Sequence, residues 1–569
     1  MNFYILFLIT YILKFFYSLQ VGLVPDEAYY WTWSRNLDFS FYDQGPGVAL
    51  YIRFFTYLFG DTIYSLRLAA NIAGLLTSLF IFRIAEILEL GKKQKIFLFL
   101  FLVFIPAFYA GGFLIMHDSP LLLSWSAALY FTVRYLKERK NSFIYAIFFF
   151  LGTGALSKHT MIFYVFSILL WLVFSPGEYR ILRNKHLYLG IGLTALMISP
   201  VIYWNLQNDW DNVDAIVNLR SAGSVNVKKF NTGDMILGQV LSISPIFYGF
   251  MGLLFLKYFY ESITNSGSSF FQKLFSFIKN SIYISGEKET IYKFLFFNAI
   301  VLPLFFLIMS IYRVIQANWL YASILPISLL FVTLIRETKI NSLLFYSSLT
   351  VALFMDIYSM FSIPISKMIP LSINPYYILG TRNLGYLEIV NDLENILKNK
   401  HPGDEIVANR YQDAAILSWY LPGKPPIQSL NILQKNQYNY WLDMEKGKDY
   451  LLVYIQEKTC AKAFIFFQPI LHEMFEQVIE YPEKEVVIDG NLVKRYQVWY
   501  LRNYEKDWAW DLRTIIQEQI IENGILIGLK NPPDSKSYKL KKTDYNGMEM
   551  IHSYMDRAGE VECSFLQKR

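Results

Sequence analysis

The chain of 569 residues is 54% apolar and only 17% charged, and its net charge is +6 at pH 7. Soluble domains carry roughly 25% charged residues, so this composition excludes a wholly soluble protein. The excess of Lys and Arg is spread through many loops, and we therefore predict no nucleic-acid partner. The long Phe, Leu and Ile runs fall in the first part of the chain. We predict a membrane domain at residues 1–365 and a soluble α/β domain at residues 366–569.

A transmembrane helix needs about 20 apolar residues to cross about 30 Å of hydrocarbon. By this criterion the sequence predicts about 11 transmembrane helices, and up to about 13 if adjoining runs divide differently. The predicted spans lie near residues 3–22, 64–84, 95–115, 119–136, 142–157, 160–175, 187–204, 236–256, 293–311, 317–335 and 342–362. The protein is therefore expected to contact membrane lipids along most of its first domain.

Lys and Arg are concentrated in the loops on one side of these spans, and such loops face the cytoplasm. With the N-terminus in the cytoplasm, the external loops are residues 23–60, 116–118 and 205–234. An odd number of spans then places the soluble domain outside as well. We predict a multi-pass integral protein of the bacterial inner (cytoplasmic) membrane with an extracytoplasmic soluble domain.

The first external loop is rich in carboxylates and aromatic rings: "GLVPDEAYYWTWSRNLDFSFYDQGPGVALY". Its "PDE" predicts a helix start, because Asp26 can accept from free N–H groups and acids suit the positive end of a helix. Such a helix is expected to lie at the membrane interface with Tyr30 and its neighbours at headgroup depth. These residues leave two interpretations open. In the first, Asp26 is a helix cap, Glu27 is a solvated acid and Asp43 is a turn residue. In the second, the loop is a catalytic surface that lies on the membrane.

Ionisable residues also stand at the external ends of later spans. "GGFLIMHDSPLLL" carries Asp118, and "GTGALSKHTMIF" carries Lys158 and His159, while Arg220 lies in the loop 205–234. Such groups are expensive at membrane depth and normally line a cavity or pair with each other. The alternatives are that Asp118 caps a helix, that Lys158 extends to the interface and that Arg220 is an ordinary loop residue. Two cations among acids favour a site for an anionic substrate beside a carboxylate base.

Six motifs follow one another along the chain, namely "DEAYYWTWSRNLDFSFYDQGPGVALYI", "HDSPLLLSWSAALYF", "GALSKHTMIF", "SPVIYWNLQNDW", "ANWLYASILP" and "NRYQDAAILSWYLPGKPP". Together they resemble the polyprenyl-phosphate-sugar-dependent glycosyltransferases of the protein O-mannosyltransferase and lipid A aminoarabinose transferase superfamily. The resemblance implies a GT-C fold, with a polytopic α-helical membrane domain and an extracytoplasmic soluble domain. It also implies that a hexose or pentose moves, with inversion, from a polyprenyl-phosphate-linked donor to a lipid, glycan or protein acceptor.

The resemblance assigns roles to particular acids. Asp26 matches the family's candidate general base, with Glu27 beside it, and Asp43 matches the second acidic position of the first loop. Some members bind a metal near that position, so a divalent metal at Asp43 is left open and no other cofactor is expected. This chain has Gln44-Gly45 where relatives often carry a basic residue or His followed by Pro.

The resemblance also assigns the groups that would hold the donor. Asp118 matches the acid of the second external loop, Lys158 the lysine that faces the donor phosphate, and Arg220 a second phosphate-binding cation. Asn318 stands where relatives often have His. A departing phosphate needs cationic stabilisation, and an acceptor hydroxyl needs one base. We therefore assign catalysis to Asp26, Glu27 and Asp43, and substrate binding to Asp118, Lys158, His159, Arg220 and Tyr30.

A polytopic lipid or glycan transporter without transferase activity is the alternative function. It predicts repeated, Gly- or Pro-broken helices in two halves and charges deep in several spans. The ionisable residues instead lie at the external ends of the spans, which favours chemistry at the membrane surface.

The soluble domain gives fewer indications of function. Residues 404–430 predict a strand, a helix, a turn and a second strand, and "DYLLVYIQ", "EVVID" and "YQVWYL" predict further strands. We predict that His401 and His472 are surface residues. Cys460 and Cys563 leave a disulfide open.

Overall fold

The computed structural model describes residues 2–214, 232–264, 287–311, 315–335, 338–369, 383–399, 401, 403–430, 436–441, 444–456, 471–472 and 474–505. Arg220, Cys460 and Cys563 lie outside these residues. The chain divides into two compact units. Unit 1 comprises Met1–Val21, Trp33–Trp210 and Val227–Gly380, and unit 2 comprises Gly22–Thr32, Asp211–Asn226 and Thr381–Arg569. Unit 2 thus includes the stretch that carries Asp26, which the sequence analysis assigned to the membrane domain 1–365.

The described residues of unit 1 are mainly α-helical. Its helices in chain order, with α2 shared between the two units, are α1 (Phe3–Ser18), α2 (Pro25–Arg35), α3 (Gly47–Phe59), α4 (Ile63–Ile87), α5 (Lys92–Phe104), α6 (Pro106–Gly111), α7 (Asp118–Glu138), α8 (Asn141–Ser157), α9 (Ile162–Val173), α10 (Lys185–Gln207), α12 (Thr232–Ile243), α13 (Pro245–Thr264), α14 (Glu287–Met309), α15 (Tyr321–Leu334), α16 (Lys339–Met360) and α17 (Ser362–Met368). Helix α11 (Asp211–Asp214) belongs to unit 2. Short 3-10 turns cover His159–Met161, Pro176–Arg183 and Ala317–Leu320.

Among the described residues, five helical segments are long and apolar enough to cross a membrane. They are Ile63–Ile87, Lys185–Gln207, Lys288–Met309, Ala317–Leu334 and Lys339–Ser359, and the number rises to seven if each of two bent helix pairs forms one span. These helices fit a polytopic membrane protein, but they are fewer than the predicted 11.

Breaks in the helices explain part of this difference. The predicted span 95–115 divides where α5 ends at Phe104 and α6 begins at Pro106, because proline lacks the N–H that would continue the helical hydrogen bonds. Other predicted spans are shorter than a full crossing, such as α1 and α8. Prolines and turns therefore divide apolar runs that look continuous in the sequence.

In the part of unit 2 that the structure describes, six strands form a mixed sheet. The remaining helices of this unit are α18 (Tyr386–Asn399) and α19 (Tyr411–Tyr420), and its strands are β1 (Glu405–Ala408), β2 (Gln428–Ser429), β3 (Tyr450–Gln456), β4 (Phe475–Glu480), β5 (Lys484–Ile488) and β6 (Asn491–Tyr504). The strand order is β2-β1-β3-β6-β4, with β5 paired to β6. Strand β1 runs parallel to β2 and β3, whereas β6 is antiparallel to β3, β4 and β5.

The sheet has a buried central strand. Consecutive residues Leu451, Leu452 and Val453 of β3 are all buried, so both faces of this strand are covered. The order of strand, helix, turn and strand predicted for residues 404–430 is present, and the three later predicted strands are found as β3, β5 and β6.

One prediction for unit 2 is wrong. His401 is buried rather than exposed, because its ring bonds the Asp404 carboxylate at 3.1 Å and the Tyr481 hydroxyl at 2.7 Å. His472 is exposed, as predicted.

Candidate functional site

A buried ion pair joins two of the residues that the sequence analysis selected. Lys158 follows the C-terminal end of α8 and Asp118 begins α7. The Lys158 Nζ donates to the Asp118 Oδ1 at 2.6 Å, and the Lys158 side chain is only 2% exposed. Lys158 therefore does not extend to the membrane interface. A buried charge needs such a partner, because its transfer out of water is expensive.

Two further side chains hold the second oxygen of Asp118. The Asn318 amide Nδ2 donates to Asp118 Oδ2 at 2.9 Å, and the His117 Nε2 lies 3.4 Å from the same oxygen. Asn318, at the position where relatives often have His, thus retains a hydrogen-bond donor toward this acid. These contacts fix the orientation of the carboxylate and, through it, the position of the Lys158 ammonium.

The glycines of "YDQGPG" allow the first loop to lie directly on the end of α8. A Cβ added at Gly45 would fall 2.4 Å from the carbonyl oxygen of Leu156, and one at Gly47 would fall 2.5 Å from the Ser157 Oγ. Real side chains do not fit at such distances, so these positions require glycine because the two backbones nearly touch. The loop is thereby fixed beside the residues that lead into Lys158.

Gln44 makes a second connection between the first loop and this region. Its Oε1 accepts a hydrogen bond from the backbone N–H of His159 at 3.2 Å, and its side chain is buried. In this chain, a neutral residue that accepts a backbone hydrogen bond stands where relatives often have a basic one. The departure at Gln44 is visible in the sequence, but the bond is not, because nothing in the local pattern indicates which backbone group a glutamine will bind.

Asp43 precedes Gln44 in this loop and is half-buried. A metal site at Asp43 would need further His, Cys, Asp or Glu side chains close to its carboxylate. Within the part of the chain that the structure describes, no group of three or more His, Cys, Asp or Glu side chains is placed to share a metal ion. Divalent ions bind through several such ligands, so the described residues do not fit a metal site at Asp43, and we derive no step through a metal.

The residues of the opening helix differ from the predicted arrangement. Helix α2 begins at Pro25, so Asp26 occupies its second position rather than the cap. Proline suits the first position of a helix because its missing N–H would have no partner there. Asp26 is half-buried, and its charge suits the positive end of the helix.

Glu27 is fully buried rather than solvated. Its Oε2 accepts a hydrogen bond from the Val24 N–H at 3.2 Å. A glutamate in the third position of a helix commonly makes this bond to the residue before the helix. We infer that Glu27 stabilises the start of α2, next to Asp26.

The rings of α2 are also buried in the protein instead of lying at headgroup depth. Tyr29 and Trp31 are at most 2% exposed and Tyr30 is 9% exposed. The apolar surface in this loop is provided by α3 instead, where Phe54, Tyr57 and other residues on one side of the helix are exposed.

Within unit 2, the segment that carries Asp26 is held by residues far along the chain. The Gln437 N–H donates to the Tyr29 hydroxyl at 3.0 Å, and the Leu23 N–H donates to the Tyr420 hydroxyl at 3.2 Å. The Tyr29 ring also lies 4.4 Å from the Tyr411 ring. These contacts give the C-terminal part of the chain a direct role in fixing the start of α2.

A second group of aromatic contacts supports the same segment. The Trp31 and Trp419 rings meet edge to face at 4.9 Å, and the Lys424 ammonium lies 3.3 Å from the Trp419 ring centroid. Such cation–π contacts are attractive when partly desolvated. Nearby, burial raises the pKa of the Tyr438 phenol, whose hydrogen bond with Thr32 lowers it by less, so the phenol stays neutral.

The structure thus brings together part of the predicted set. In unit 1, Asp118 and Lys158 form the ion pair, His159 is tied to the loop of Asp43, and Asn318 joins them. In unit 2, Asp26, Glu27 and Tyr30 lie in the first part of α2.

The chain is similar to known proteins. Residues 43–204 match the family model described as dolichyl-phosphate-mannose-protein mannosyltransferase. Two structures of ArnT from Cupriavidus metallidurans, bound to undecaprenyl phosphate and in the apo state, superpose with a TM-score of 0.56. Each covers 86% of this chain and 97% of ArnT, at 14% and 15% identity respectively. The predicted resemblance to the GT-C superfamily is confirmed.

A curated relative supports the same superfamily. The lipid A galacturonosyltransferase RgtD of Rhizobium johnstonii is 25% identical over 185 residues, which are 32% of this chain. The match spans 38% of the relative's length, well under half of it. The GT-C family match at residues 43–204 contains Asp43, Asp118 and Lys158 and begins after Asp26.

Replacement of Gly45 should test the close packing of the first loop. We expect Gly45→Ala to destabilise the protein by about 1–3 kcal/mol, the usual range for an overpacked site. It should also slow sugar transfer by about 10²-fold, because small displacements of a site are costly. Thermal unfolding in detergent and a transfer assay provide the measurements. Gly192→Ala is the matched control, since its added Cβ meets nothing within 4 Å. Equal behaviour of the two variants would contradict the packing argument.

Paired substitutions should separate the structural and chemical roles of Lys158. Lys158→Met leaves Asp118 as an uncompensated buried charge, so we expect a loss of about 3–5 kcal/mol in stability and of about 10²–10³-fold in transfer. Adding Asp118→Asn should restore most of the stability, because the buried charge is removed, but not the transfer. Recovery of transfer in the double variant would mean that Lys158 serves only to neutralise Asp118.

Proposed function

We propose that this protein is a membrane glycosyltransferase that uses a polyprenyl-phosphate-linked sugar as its donor. The buried Lys158–Asp118 pair carries the proposal. An ammonium that is 2% exposed and fixed by an acid at 2.6 Å is aimed and desolvated. A cation in such surroundings stabilises developing negative charge far better than a solvated one. The ArnT structure with undecaprenyl phosphate supports a donor of this chemical class.

The proposed reaction is a direct displacement. The acceptor hydroxyl loses its proton to Asp26, and its oxygen forms the new bond to the anomeric carbon with inversion. The bond between that carbon and the phosphate oxygen breaks, and its electron pair leaves with the polyprenyl phosphate. Lys158 balances the charge that develops on this leaving group, together with Arg220 if that residue takes its predicted role. One carboxylate suffices as the base.

Asp26 is the preferred base because its carboxylate is more accessible than that of its neighbour. Glu27 is fully buried and accepts the Val24 N–H, whereas Asp26 is half-buried. Glu27 is therefore proposed to hold Asp26 in place. Asp43 is proposed to contact substrate from the loop that Gln44 fixes, since its carboxylate is half-buried beside that residue.

A lipid is the acceptor that the comparisons favour. The curated relative is named for its action on lipid A, and it is similar over a third of this chain. We propose an acceptor of this class in the outer part of the inner membrane, and a uronic acid, an aminosugar or a neutral sugar as the group transferred.

Envelope lipids should reveal the reaction. We expect cells without the gene to lack one sugar on an envelope lipid by mass spectrometry, and wild-type protein to restore it. Asp26→Asn keeps the shape of the side chain but cannot act as a base, so transfer should fall about 10²–10⁴-fold. Asp38→Asn is the matched control in the same loop, because Asp38 is exposed and an Asn oxygen keeps the bond from the Trp204 indole N–H, while only the exposed bond from the Phe39 N–H is lost.

Two outcomes would contradict this proposal. Normal transfer by the Asp26→Asn protein, at normal protein level, would remove Asp26 as the base. Envelope lipids and glycans with unchanged composition, together with altered export of a lipid-linked sugar, would indicate the transporter instead.

The location of unit 2 outside the cytoplasm is part of the proposal. A phosphatase reporter that is active only outside the cytoplasm should be active when fused after Arg569, because the basic loops of the membrane domain face inward. A reporter fused within the basic segment near Lys137 provides the opposite control. Strong activity of a cytoplasm-only reporter at the C-terminus would contradict the predicted orientation.

A further inference from the structure

A fully buried arginine lies in the membrane domain, outside the residues assigned so far. Arg67 is 0% exposed and sits on α4, one of the helices long and apolar enough to cross a membrane. Arginine cannot shed its charge in proteins, and charged residues in such helices are rare and costly. Its retention therefore calls for a structural or functional reason.

The guanidinium of Arg67 contacts backbone carbonyl oxygens from two separate segments. Nε donates to the Ser18 oxygen at 3.2 Å and Nη2 to the Val21 oxygen at 3.1 Å. Nη1 donates to the Phe113 oxygen at 2.8 Å. The planar fork of donors in arginine makes such a bridge possible, whereas lysine has only one nitrogen.

Both segments lie where helices end. Helix α1 ends at Ser18, and α6 ends at Gly111, just before Phe113. Of the three carbonyl groups, that of Ser18 is the last of α1, while those of Val21 and Phe113 follow the ends of α1 and α6. A cation suits the negative end of a helix. Arg67 therefore donates hydrogen bonds at or just after the ends of two helices at once.

Close packing keeps these segments together. A Cβ added at Gly74, further along α4, would lie 2.9 Å from the ring of Tyr11 on α1 and 3.2 Å from the Cα of Gly112. Helix α4, α1 and the end of α6 therefore approach one another with no space for a larger residue. This packing sets the position of Arg67 between the segments that follow α1 and α6.

The two segments lead directly to residues of the candidate site. Val21 precedes the stretch that carries Asp26, and Phe113 precedes His117 and Asp118. We propose that Arg67 is a positioning residue for the transfer reaction. It fixes the two segments that follow α1 and α6, which lead to Asp26 and Asp118. This inference rests on the proposed function for its catalytic consequence, but not for the anchoring itself.

The proposal predicts a particular kinetic change. Lys158 follows the end of α8 rather than either of the segments that Arg67 binds, so its backbone position should be kept and the KM for donor should change less than kcat. Loss of the anchor should instead misplace the loops, and misplacement by about 1 Å can cost about 10²-fold in rate. We therefore expect kcat to fall about 30–100-fold while the KM for donor stays within about threefold.

The experiment compares Arg67→Gln, Arg67→Lys and Arg83→Gln in the full-length protein. Arg83 lies on the same helix but its side chain is 55% exposed, so its replacement is the matched control. Each variant is assayed for kcat and KM, for its content of folded protein, and for amide hydrogen exchange of residues 19–21 and 113–118. Lysine keeps the charge but cannot bridge the three carbonyls, so Arg67→Lys should have an intermediate kcat.

The outcomes distinguish an anchor from a merely stabilising residue. A fall in kcat per folded molecule, with faster exchange in both segments for the Arg67 variants only, supports the proposal. Unchanged kcat per folded molecule, or unchanged exchange in either segment, overturns it. If Arg67→Gln does not accumulate, the same criteria apply to Arg67→Lys. If wild-type protein transfers no sugar, the proposed function fails, and the exchange comparison alone decides whether Arg67 anchors the two segments.

Discussion

A charge inside a helical membrane domain must find its partners within the protein, because no water is there to replace them. The buried cations of unit 1 meet this constraint in different ways. Lys158 pairs with the Asp118 carboxylate, Arg67 binds carbonyl groups at two helix ends, and Lys14 donates to the Val103 oxygen at 2.7 Å. Each cation thereby connects segments that are far apart in the sequence, and one of these connections, between Lys158 and Asp118, forms part of the candidate site.

The candidate site is further fixed by backbone contacts. Gly45 and Gly47 let the first loop touch the end of α8, and Gln44 accepts the His159 N–H. These contacts orient the loop through backbone atoms and one neutral side chain. The loop that carries Asp43 is thereby held beside the residues that lead into Lys158.

Unit 2 is more than a separate soluble domain, because it includes the start of α2. The Tyr29 and Leu23 contacts with Gln437 and Tyr420 join the segment of Asp26 to residues roughly 400 positions later, as the separations of 408 and 397 show. The aromatic rings that were predicted to lie at the membrane interface are instead buried in the protein. Their burial gives the candidate base a rigid surrounding, which a flexible loop would lack.

The sequence by itself determined the membrane class and the order of strand, helix and strand in residues 404–430, because composition and local periodicity carry this information. Its six motifs carried the resemblance to the GT-C superfamily. It also selected Asp118 and Lys158, since ionisable residues at membrane depth are costly and normally line a cavity or pair with each other. Only the tertiary structure decided that Glu27 supports the start of α2, that α5 ends before Pro106 while the apolar run continues, and that Arg67 joins two helix ends. These features depend on contacts between groups that are distant in the sequence, and local sequence patterns do not predict such contacts.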